Sequence, residues 1–255
     1  MRFQKGQGLK SLEGKTAVVT GAAGTMGLAA TRFLLEDGAR VVMVDLSEAR
    51  MHDVARGLHG DIMFVAADIC AAASVASAHA RVVKNLGAID ILVNNAGILS
   101  NNKLEATSDE EWRRVLGVNL DGAFHWSRAV LPAMKARKWG RIINVSSLAA
   151  KTGGLTAGTA YSVSKGAISA LTFSLARESA AFGVTVNAIS PAYVKTPMVT
   201  EGLSEAQRVA LLATIPVGRF CEPDEFAHVV RFLASPLAGF ITGEVVDING
   251  GLLMD

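Results

Sequence analysis

Tyr161 and Lys165 have the residue types and the spacing for acid–base chemistry. Both lie in a segment with helical periodicity, and a separation of four residues places their side chains on one helix face, one turn apart. A tyrosine hydroxyl has a pKa of about 10, and an ammonium about 5 Å away at an effective dielectric of about 20 favours the phenolate by roughly 3 kcal/mol, or about two pKa units. Tyr161 could then exchange a proton with an alcohol at neutral pH, although the same spacing also occurs at solvated helix edges.

Polar side chains elsewhere in the chain could assist this pair. Ser146 and Ser147 end an apolar run, and the Ser147 hydroxyl could hold a reacting oxygen; the alternative is a pair of serines that cap a turn. Asn119 lies inside a long helical stretch in an apolar setting, where asparagine is a poor helix former. Its amide is therefore expected to interrupt the helix locally or to hold a water molecule.

The segment VVTGAAGTMGLAA (18–30) predicts a strand that turns through glycines into a helix. Its glycines, Gly21, Gly24 and Gly27, are not spaced as in the usual G-x-G-x-x-G dinucleotide fingerprint. The free backbone N–H groups of such a turn and the positive dipole end of the helix suit a pyrophosphate, and glycines let it approach closely. The spacing alone is equally compatible with a tight turn that binds nothing.

Asp45 ends the second predicted strand, 24 residues after Gly21. A carboxylate at that place accepts hydrogen bonds from both ribose hydroxyls of an adenosine and repels a 2′-phosphate. Leu46 follows it, and no Arg or Lys lies between Gly21 and Thr31, so a 2′-phosphate would lack a balancing cation. The pattern predicts NAD rather than NADP as the cofactor, while the alternative role of Asp45 is to cap a helix over 46–57.

Seven apolar runs predict strands, at 16–20, 40–45, 62–68, 89–95, 140–147, 184–190 and 243–250. Helical patterns separate them, and a long one over 107–137 contains Pro132, which is expected to kink or divide it. The strand runs are almost continuously apolar, which is typical of parallel strands covered on both faces. This alternation predicts an α/β fold, a single-domain doubly wound parallel sheet of Rossmann type with helices on both faces.

The composition narrows the possible functions. Half of the 255 residues are hydrophobic, which suits one domain over 14–255 behind a polar leader, 1–13, that is either frayed or a docking arm. A net charge of +2 leaves no basic field for nucleic acid, and no run approaches the roughly 20 apolar residues of a membrane span. Cys70 and Cys221 do not suggest a disulfide framework, and the five histidines lack metal-ligand spacing. We expect a cytoplasmic protein that acts on a small molecule without a metal.

Five motifs together resemble the short-chain dehydrogenase/reductase family, in the family's order and over about residues 12–253. They are TGAAGTMG (20–27), NNAG (94–97), NVSS (144–147), YSVSK (161–165) and NAISPAYVKTPM (187–198). The family's glycine turn is spaced more widely than that of other Rossmann proteins. The resemblance therefore implies that the turn at 20–27 is a nucleotide site.

The resemblance also implies roles for individual residues. Tyr161 is the general acid/base, Lys165 lowers its pKa and binds the nicotinamide ribose, and Ser147 orients the substrate oxygen. Asn119 holds a water molecule in a proton relay from Lys165 to solvent. Asp68 and Ile69 flank the adenine. The full set of implied cofactor residues is Gly21, Gly24, Thr25, Met26, Gly27, Asp45, Leu46, Asp68, Ile69, Asn95, Ala96, Gly97, Tyr161, Lys165, Pro191, Val194 and Thr196.

Three positions depart from the family pattern. Thr25 replaces the middle glycine of the turn, with Gly24 one place early, and Ala192 replaces the glycine of a Pro-Gly pair. Ser147 and Tyr161 lie 14 residues apart, against about 13 in the family. We expect the extra residue to bulge outward within 148–160 and to leave both catalytic groups in place.

The substrate is the least constrained part of the prediction. Residues 193–215 are expected to form a mobile lid, and an apolar pocket is predicted from Leu155, Tyr193 and Met198 beside Ser147 and Tyr161. That pocket favours a hydrophobic, cyclic or aromatic alcohol over a sugar, although the same side chains could pack the lid onto the body. The resemblance further implies a homotetramer or homodimer that pairs through the helix at 107–137.

The leading hypothesis is an NAD-dependent oxidoreductase that interconverts a secondary alcohol and its ketone by hydride transfer. Two alternatives stay open. One is an NADPH-linked 3-oxoacyl reductase, against which Asp45 and the lack of an obvious basic patch for an acidic carrier argue. The other is a nucleotide-sensing binding protein that keeps the fold and has no turnover.

Overall fold

The computed structural model describes residues 10–200 and 204–254, without the side chains of Met198 and Thr200. Within these residues, strands and helices alternate along the chain. The strands are β1 Thr16–Thr20, β2 Arg40–Asp45, β3 Ile62–Ala66, β4 Ile91–Asn94, β5 Gly140–Val145, β6 Val184–Pro191 and β7 Val245–Ile248. The helices are α1 Thr25–Glu36, α2 Glu48–Val54, α3 Ala72–Leu86, α4 Asp109–Leu116, α5 Gly122–Arg137, α6 Ala149–Thr152, α7 Thr159–Ser179, α8 Pro197–Thr200, α9 Glu205–Thr214 and α10 Pro223–Ala234.

The strands form one parallel sheet in the order β3-β2-β1-β4-β5-β6-β7. The order reverses between β1 and β4, where Val18 lies opposite Val42 on one side and Leu92 on the other. Ligand crevices of doubly wound sheets open at such a reversal, beyond the carboxyl ends of the strands. The predicted fold is confirmed, and it places the ends of β1, β2, β4 and β5 at one edge.

Helices cover both faces of the sheet, which explains the almost continuous apolar character of the strands. On one face, Leu34 of α1 and Phe226 of α10 pack with Met43 of β2 in one buried cluster. On the other face, Trp126 and Met134 of α5 belong to a second buried cluster, which includes Val42 of β2 and Leu92 of β4. No helix within the described residues is long and apolar enough to cross a bilayer.

The predicted helix over 107–137 is divided, but not at Pro132. Helices α4 and α5 are separated by a π-helical turn at Gly117–Asp121, and Pro132 lies inside the continuous α5. The turn contains Asn119, whose amide bonds to another segment of the chain and so favours a widened turn at this point. The helix is therefore not divided at Pro132, and the expectation that Asn119 interrupts it is confirmed.

Two other boundaries differ from prediction. Helix α2 is capped by Ser47, whose hydroxyl accepts a hydrogen bond from the backbone N–H of Arg50, so Asp45 is not its cap. The predicted leader, of which residues 1–9 lie outside the described part, ends inside packed structure. Leu12 is fully buried, and its backbone N–H donates to the carbonyl of Asp37 at 2.9 Å.

Candidate active site

Ser147, Tyr161 and Lys165 meet at the carboxyl edge of the sheet. Ser147 follows β5, and its hydroxyl lies close enough to Tyr161, the third residue of α7, to lower the pKa of that phenol. Lys165 lies one turn further along α7, is 3% exposed, and donates from Nζ to the carbonyl of Val145 at 2.7 Å. Its Nζ is 5.7 Å from the centre of the Tyr161 ring. The predicted grouping of a hydroxyl, a phenol and an ammonium is therefore present.

Burial controls the protonation of this group. Burial raises the pKa of Tyr161 above its usual value, and the hydrogen bond with Ser147 acts in the opposite direction. Burial also lowers the pKa of Lys165 to about 8. Removing a charged phenolate or ammonium from water costs free energy, and the spacing of the two residues does not show that cost. Burial is the largest effect on Tyr161, so the predicted lowering of its pKa is corrected.

Asn119 connects this group to the loop after β4. Its Oδ1 accepts from the backbone N–H of Ile98 at 2.8 Å, and its Nδ2 donates to the Ile98 carbonyl and the Ser164 hydroxyl, both at 3.0 Å. A Cβ atom on Gly97 would lie 3.3 Å from Lys165 Nζ and 3.4 Å from Asn119 Oδ1. Asn119 and Lys165 thus approach one point from two sides, while the water that Asn119 is expected to hold stays a prediction.

The glycine turn lies after β1, and two of its glycines are sterically required. Gly21 has φ +63, and a Cβ atom there would lie 2.7 Å from the Cα of Ala96. A Cβ atom on Gly27 would lie 2.3 Å from the Gly21 carbonyl oxygen, whereas one on Gly24 would meet that oxygen at 3.4 Å, an ordinary contact. Asn95 closes the turn by donating from Nδ2 to the carbonyl of Gly21 at 3.2 Å. The turn therefore forms a tight backbone cradle at the start of α1.

Asp45 is held against this cradle. Its Oδ2 accepts from the backbone N–H of Ala23 at 3.0 Å, and its Oδ1 accepts from that of Leu46 at 2.8 Å. Each carboxylate oxygen keeps a further lone pair for a hydroxyl group. The carboxylate is thus oriented before any ligand arrives.

A cleft of about 580 Å³ joins these groups, and we call its two ends the Asp45 end and the Tyr161 end. All the predicted cofactor residues line it. They are Gly21, Gly24, Thr25, Met26, Gly27, Asp45, Leu46, Asp68, Ile69, Asn95, Ala96, Gly97, Tyr161, Lys165, Pro191, Val194 and Thr196. The cradle, the carboxylate and the start of α1 fit the pyrophosphate and adenosine of a dinucleotide, with Lys165 and Tyr161 left for the reacting end.

Several lining residues were not predicted. They are Ala23, Val44, Arg50, Ala67, Cys70, Ile98, Val118, Val145 and Pro197. Most are neighbours of predicted positions and follow from strand ends. Arg50 is the important omission because it is an exposed cation that lines the Asp45 end. The prediction that no cation balances a 2′-phosphate was based on residues 21–31 alone. Arg50, in the first turn of α2, corrects it.

The predicted substrate residues lie differently. Leu155 is 69% exposed and does not line the cleft. Tyr193 lines a second cavity of about 540 Å³, with its hydroxyl 3.5 Å from Thr156 Oγ1. Met198 lies in α8, but its side chain is outside the described part of the structure. Of the five predicted substrate residues only Tyr161 lines the cleft, and Ser147 lies next to Tyr161.

The predicted lid contains helices and has a pinned base. Helices α8 and α9 occupy most of 193–215, and residues 201–203 lie outside the described part. The backbone N–H of Lys195 donates to the Cys221 carbonyl at 2.8 Å, and that of Cys221 donates to the Tyr193 carbonyl at 3.0 Å. These hydrogen bonds hold residues 193–195 against Cys221, so a lid movement is expected to involve the residues after Lys195. The lid movement itself stays a prediction. In residues 10–200 and 204–254, no three His, Cys, Asp or Glu side chains are grouped to hold a metal.

Sequence and structure comparisons identify the relatives of this chain. Residues 21–253 match the family model described as enoyl-(acyl carrier protein) reductase. The chain is 40% identical over 245 residues to the 3-oxoacyl-[acyl-carrier-protein] reductase FabG of Vibrio cholerae, covering 96% of this chain and 99% of that protein. It is 37% identical over 246 residues to FabG of Thermotoga maritima, covering 95% of this chain and 99% of that protein.

Solved structures agree with these relatives. The crystal structure of gox2181 superposes with a TM-score of 0.91 at 35% identity, covering 95% of this chain and 97% of that one. A putative gluconate dehydrogenase from Agrobacterium tumefaciens gives a TM-score of 0.92 at 31% identity, covering 98% and 100%. Together with the grouping of Ser147, Tyr161 and Lys165, these matches confirm the resemblance seen in the motifs. The chain belongs to the short-chain dehydrogenase/reductase family, whose members are oxidoreductases that use a nicotinamide cofactor.

Proposed function

We propose that this protein interconverts a 3-oxoacyl thioester and the matching 3-hydroxyacyl thioester with a nicotinamide dinucleotide. The observation that carries the proposal is Tyr161 beside buried Lys165 in one cleft with the glycine cradle, with the Ser147 hydroxyl next to Tyr161. The substrate class is taken from the names of the FabG relatives, which match almost the whole chain. It replaces the hydrophobic or cyclic alcohol as the leading candidate, because Leu155 and Tyr193, two of the side chains that suggested that alcohol, do not line the cleft.

The bound nicotinamide would supply or accept the hydride, and the side chains of this chain would handle the proton and the oxygen. In reduction, the Ser147 and Tyr161 hydroxyls donate hydrogen bonds to the ketone oxygen, and the Tyr161 proton passes to that oxygen as the alcohol forms. Lys165, when protonated, stabilises the phenolate left behind. Asn119 is proposed to hold the water through which that proton is replaced. Oxidation uses the same path in reverse.

We further propose NAD(H) as the preferred cofactor, with a moderate preference. Asp45 is fixed by Ala23 and Leu46, offers acceptors to the two ribose hydroxyls, and repels a 2′-phosphate. Arg50 lines the same end of the cleft and offsets part of that repulsion. NADP(H) is therefore expected to react at a lower kcat/KM rather than to be rejected.

A homotetramer or homodimer is the proposed assembly, and the cytoplasm is the proposed location. Apolar side chains on the surface support the assembly: Phe124 of α5, Phe173 of α7 and, near the carboxyl end of the chain, Phe240. Aromatic side chains of this kind are enriched at interfaces between subunits. Sedimentation velocity across protein concentration measures the assembly directly, and a monomer at all concentrations would contradict it.

The first experiment measures the absorbance of reduced nicotinamide during turnover of a substrate panel. The ketone arm contains 3-oxoacyl-CoA esters of several lengths, the same acyl groups on acyl carrier protein, and cyclic and aryl ketones, each with NADH and NADPH. The alcohol arm contains the reduced compounds and a polyol. Tyr161→Phe provides the background rate.

The thioesters are expected to give a kcat/KM at least about 10-fold above that of any other class. The ratio between the carrier-protein and CoA arms identifies the carrier. A cyclic alcohol or polyol that exceeds the thioesters would overturn the substrate assignment and leave the reaction type intact. No turnover in protein that binds NAD would favour the nucleotide-sensing alternative.

A further inference from the structure

The loop that precedes Tyr161, residues 153–158, has an unusual backbone. Gly153 and Gly154 have consecutive left-handed conformations, with φ +72 and +80. Helix α7 then begins after Gly158, which provides no side-chain cap for the free N–H groups of the first turn. Since Tyr161 is only the third residue of α7, a displacement of the helix start would move its hydroxyl. Another part of the chain must therefore hold this start in place.

Lys103 supplies that contact. Its Nζ donates to the carbonyl of Gly154 at 2.9 Å and to that of Ala157 at 2.7 Å. A single ammonium group thus binds two carbonyl oxygens of the loop, three residues apart. Hydrogen bonds from a charged donor are stronger than those between neutral groups, so this contact is suited to holding a loop.

Backbone contacts continue the attachment into the helix. The N–H of Gly158 donates to the Ser100 carbonyl at 2.7 Å, and that of Thr159 donates to the Asn102 carbonyl at 3.0 Å. The approach is close, because a Cβ atom on Gly158 would lie 2.4 Å from the Asn102 carbonyl oxygen. Residues 98–103 therefore bound the start of α7 along its length.

Residues 98–103 are themselves anchored to the catalytic group. Asn119 holds both the N–H and the carbonyl of Ile98. Glu111 of α4 accepts from Asn102 Nδ2 at 2.7 Å and from the Ser100 hydroxyl. Residues 98–103 are thus fixed to Asn119 and α4, and Lys103 connects them to the loop before α7.

We propose that Lys103 is a positioning residue, which keeps the Tyr161 hydroxyl in place beside Ser147 by fixing the loop before α7. The proposal rests on the proposed function for its consequence in catalysis, and on the described contacts alone for its effect on Tyr161.

The test follows the ionisation of Tyr161 itself. The chain has two tyrosines, so Tyr193→Phe leaves Tyr161 as its sole tyrosine. Protein grown on 3-fluorotyrosine, whose ring ionises at lower pH than tyrosine, then gives one fluorine NMR signal that can be titrated. Lys103→Met is made in this background, with Lys103→Arg as the conservative variant and Lys84→Met, an exposed lysine of α3, as the matched control.

Lys103→Met is expected to move the titration of Tyr161 to higher pH, because the Tyr161 hydroxyl would lie further from the Ser147 side chain that lowers its pKa. Lys103→Arg should restore most of the shift, and Lys84→Met should cause none. With the substrate identified by the panel, Lys103→Met in the natural background should lower kcat by roughly 10- to 100-fold with the dissociation constant for NAD(H) within about two-fold of the parent.

A lowered melting temperature with an unchanged Tyr161 titration would overturn the proposal and leave Lys103 a stabilising residue only. If Lys103→Met fails to fold, Lys103→Gln keeps donors without the charge and is expected to shift the titration in the same direction by less. The fluorine titration needs no turnover. Failure of the proposed function, seen as an inactive parent protein, is thereby distinguished from failure of this proposal.

Discussion

At the Asp45 end of the cleft the binding groups follow adjacent strands of the sheet, whereas at the Tyr161 end the reacting groups lie on α7, whose start is held by loops through long-range contacts. The glycine cradle and Asp45 are direct continuations of β1 and β2, which pair along their length. Leu155 and Tyr193 lie in connections between elements, and neither lines the cleft. The difference teaches that strand ends position a site through the sheet itself, while loop residues depend on contacts such as those of Lys103.

The largest effect on activity is expected from a substitution at the Tyr161 end. Tyr161→Phe removes the proton donor and leaves the ring, so kcat should fall by about 10³-fold or more while the affinity for NAD(H) changes by less than about two-fold. Steady-state kinetics and fluorescence titration of NADH measure the two quantities. A parallel loss of cofactor affinity would show that the two ends are not separable.

The Asp45 end is tested by two alanine substitutions in one turn. Gly27→Ala places a Cβ atom 2.3 Å from the Gly21 carbonyl oxygen, so the cradle must distort. A strain of roughly 2 kcal/mol corresponds to about a 30-fold loss of NAD(H) affinity. Gly24→Ala is the matched control, since its Cβ atom meets the same oxygen at 3.4 Å. Equal affinities for the two variants would contradict the steric account of the turn.

Cofactor selectivity tests the balance between Asp45 and Arg50. Asp45→Ala removes the repulsion of a 2′-phosphate, and the ratio of kcat/KM for NADPH to that for NADH should rise by about 10-fold. Arg50 is exposed, so Arg50→Ala is expected to lower that ratio by only about 3-fold. The double variant should lie below Asp45→Ala alone. An unchanged ratio in Asp45→Ala would remove this carboxylate from cofactor recognition.

The last prediction concerns the stability of the protein without ligand. The pKa of Lys165 is lowered by burial from 10.5 to about 8 in the folded state. Between these values the unfolded chain binds more protons than the folded one, so the free energy of unfolding contributed by this group rises with pH over about 8 to 10.5. Lys165→Met should lack that rise. Urea denaturation of both proteins at several pH values isolates the difference, and parallel curves would contradict the buried state of the ammonium.

Most of the fold and one end of the site followed from local patterns. The apolar runs predicted the seven strands, and the cofactor residues that the family motifs implied all line the cleft. Pro132 misled because a tertiary contact of Asn119 decided where the long helix divides. Leu12 was assigned to a polar leader because one apolar residue among polar neighbours carries no periodic signal, yet it is fully buried.

The sequence by itself determined the parallel sheet, the glycine cradle with Asp45, and the Tyr161–Lys165 pair, because strand burial, backbone sterics and helix periodicity act over a few residues. Only the tertiary structure decided that Arg50 lines the Asp45 end, that Lys103 holds the loop before α7, and that burial raises the pKa of Tyr161. These features depend on packing between segments far apart in the chain, and on how much water that packing excludes, which no local pattern specifies.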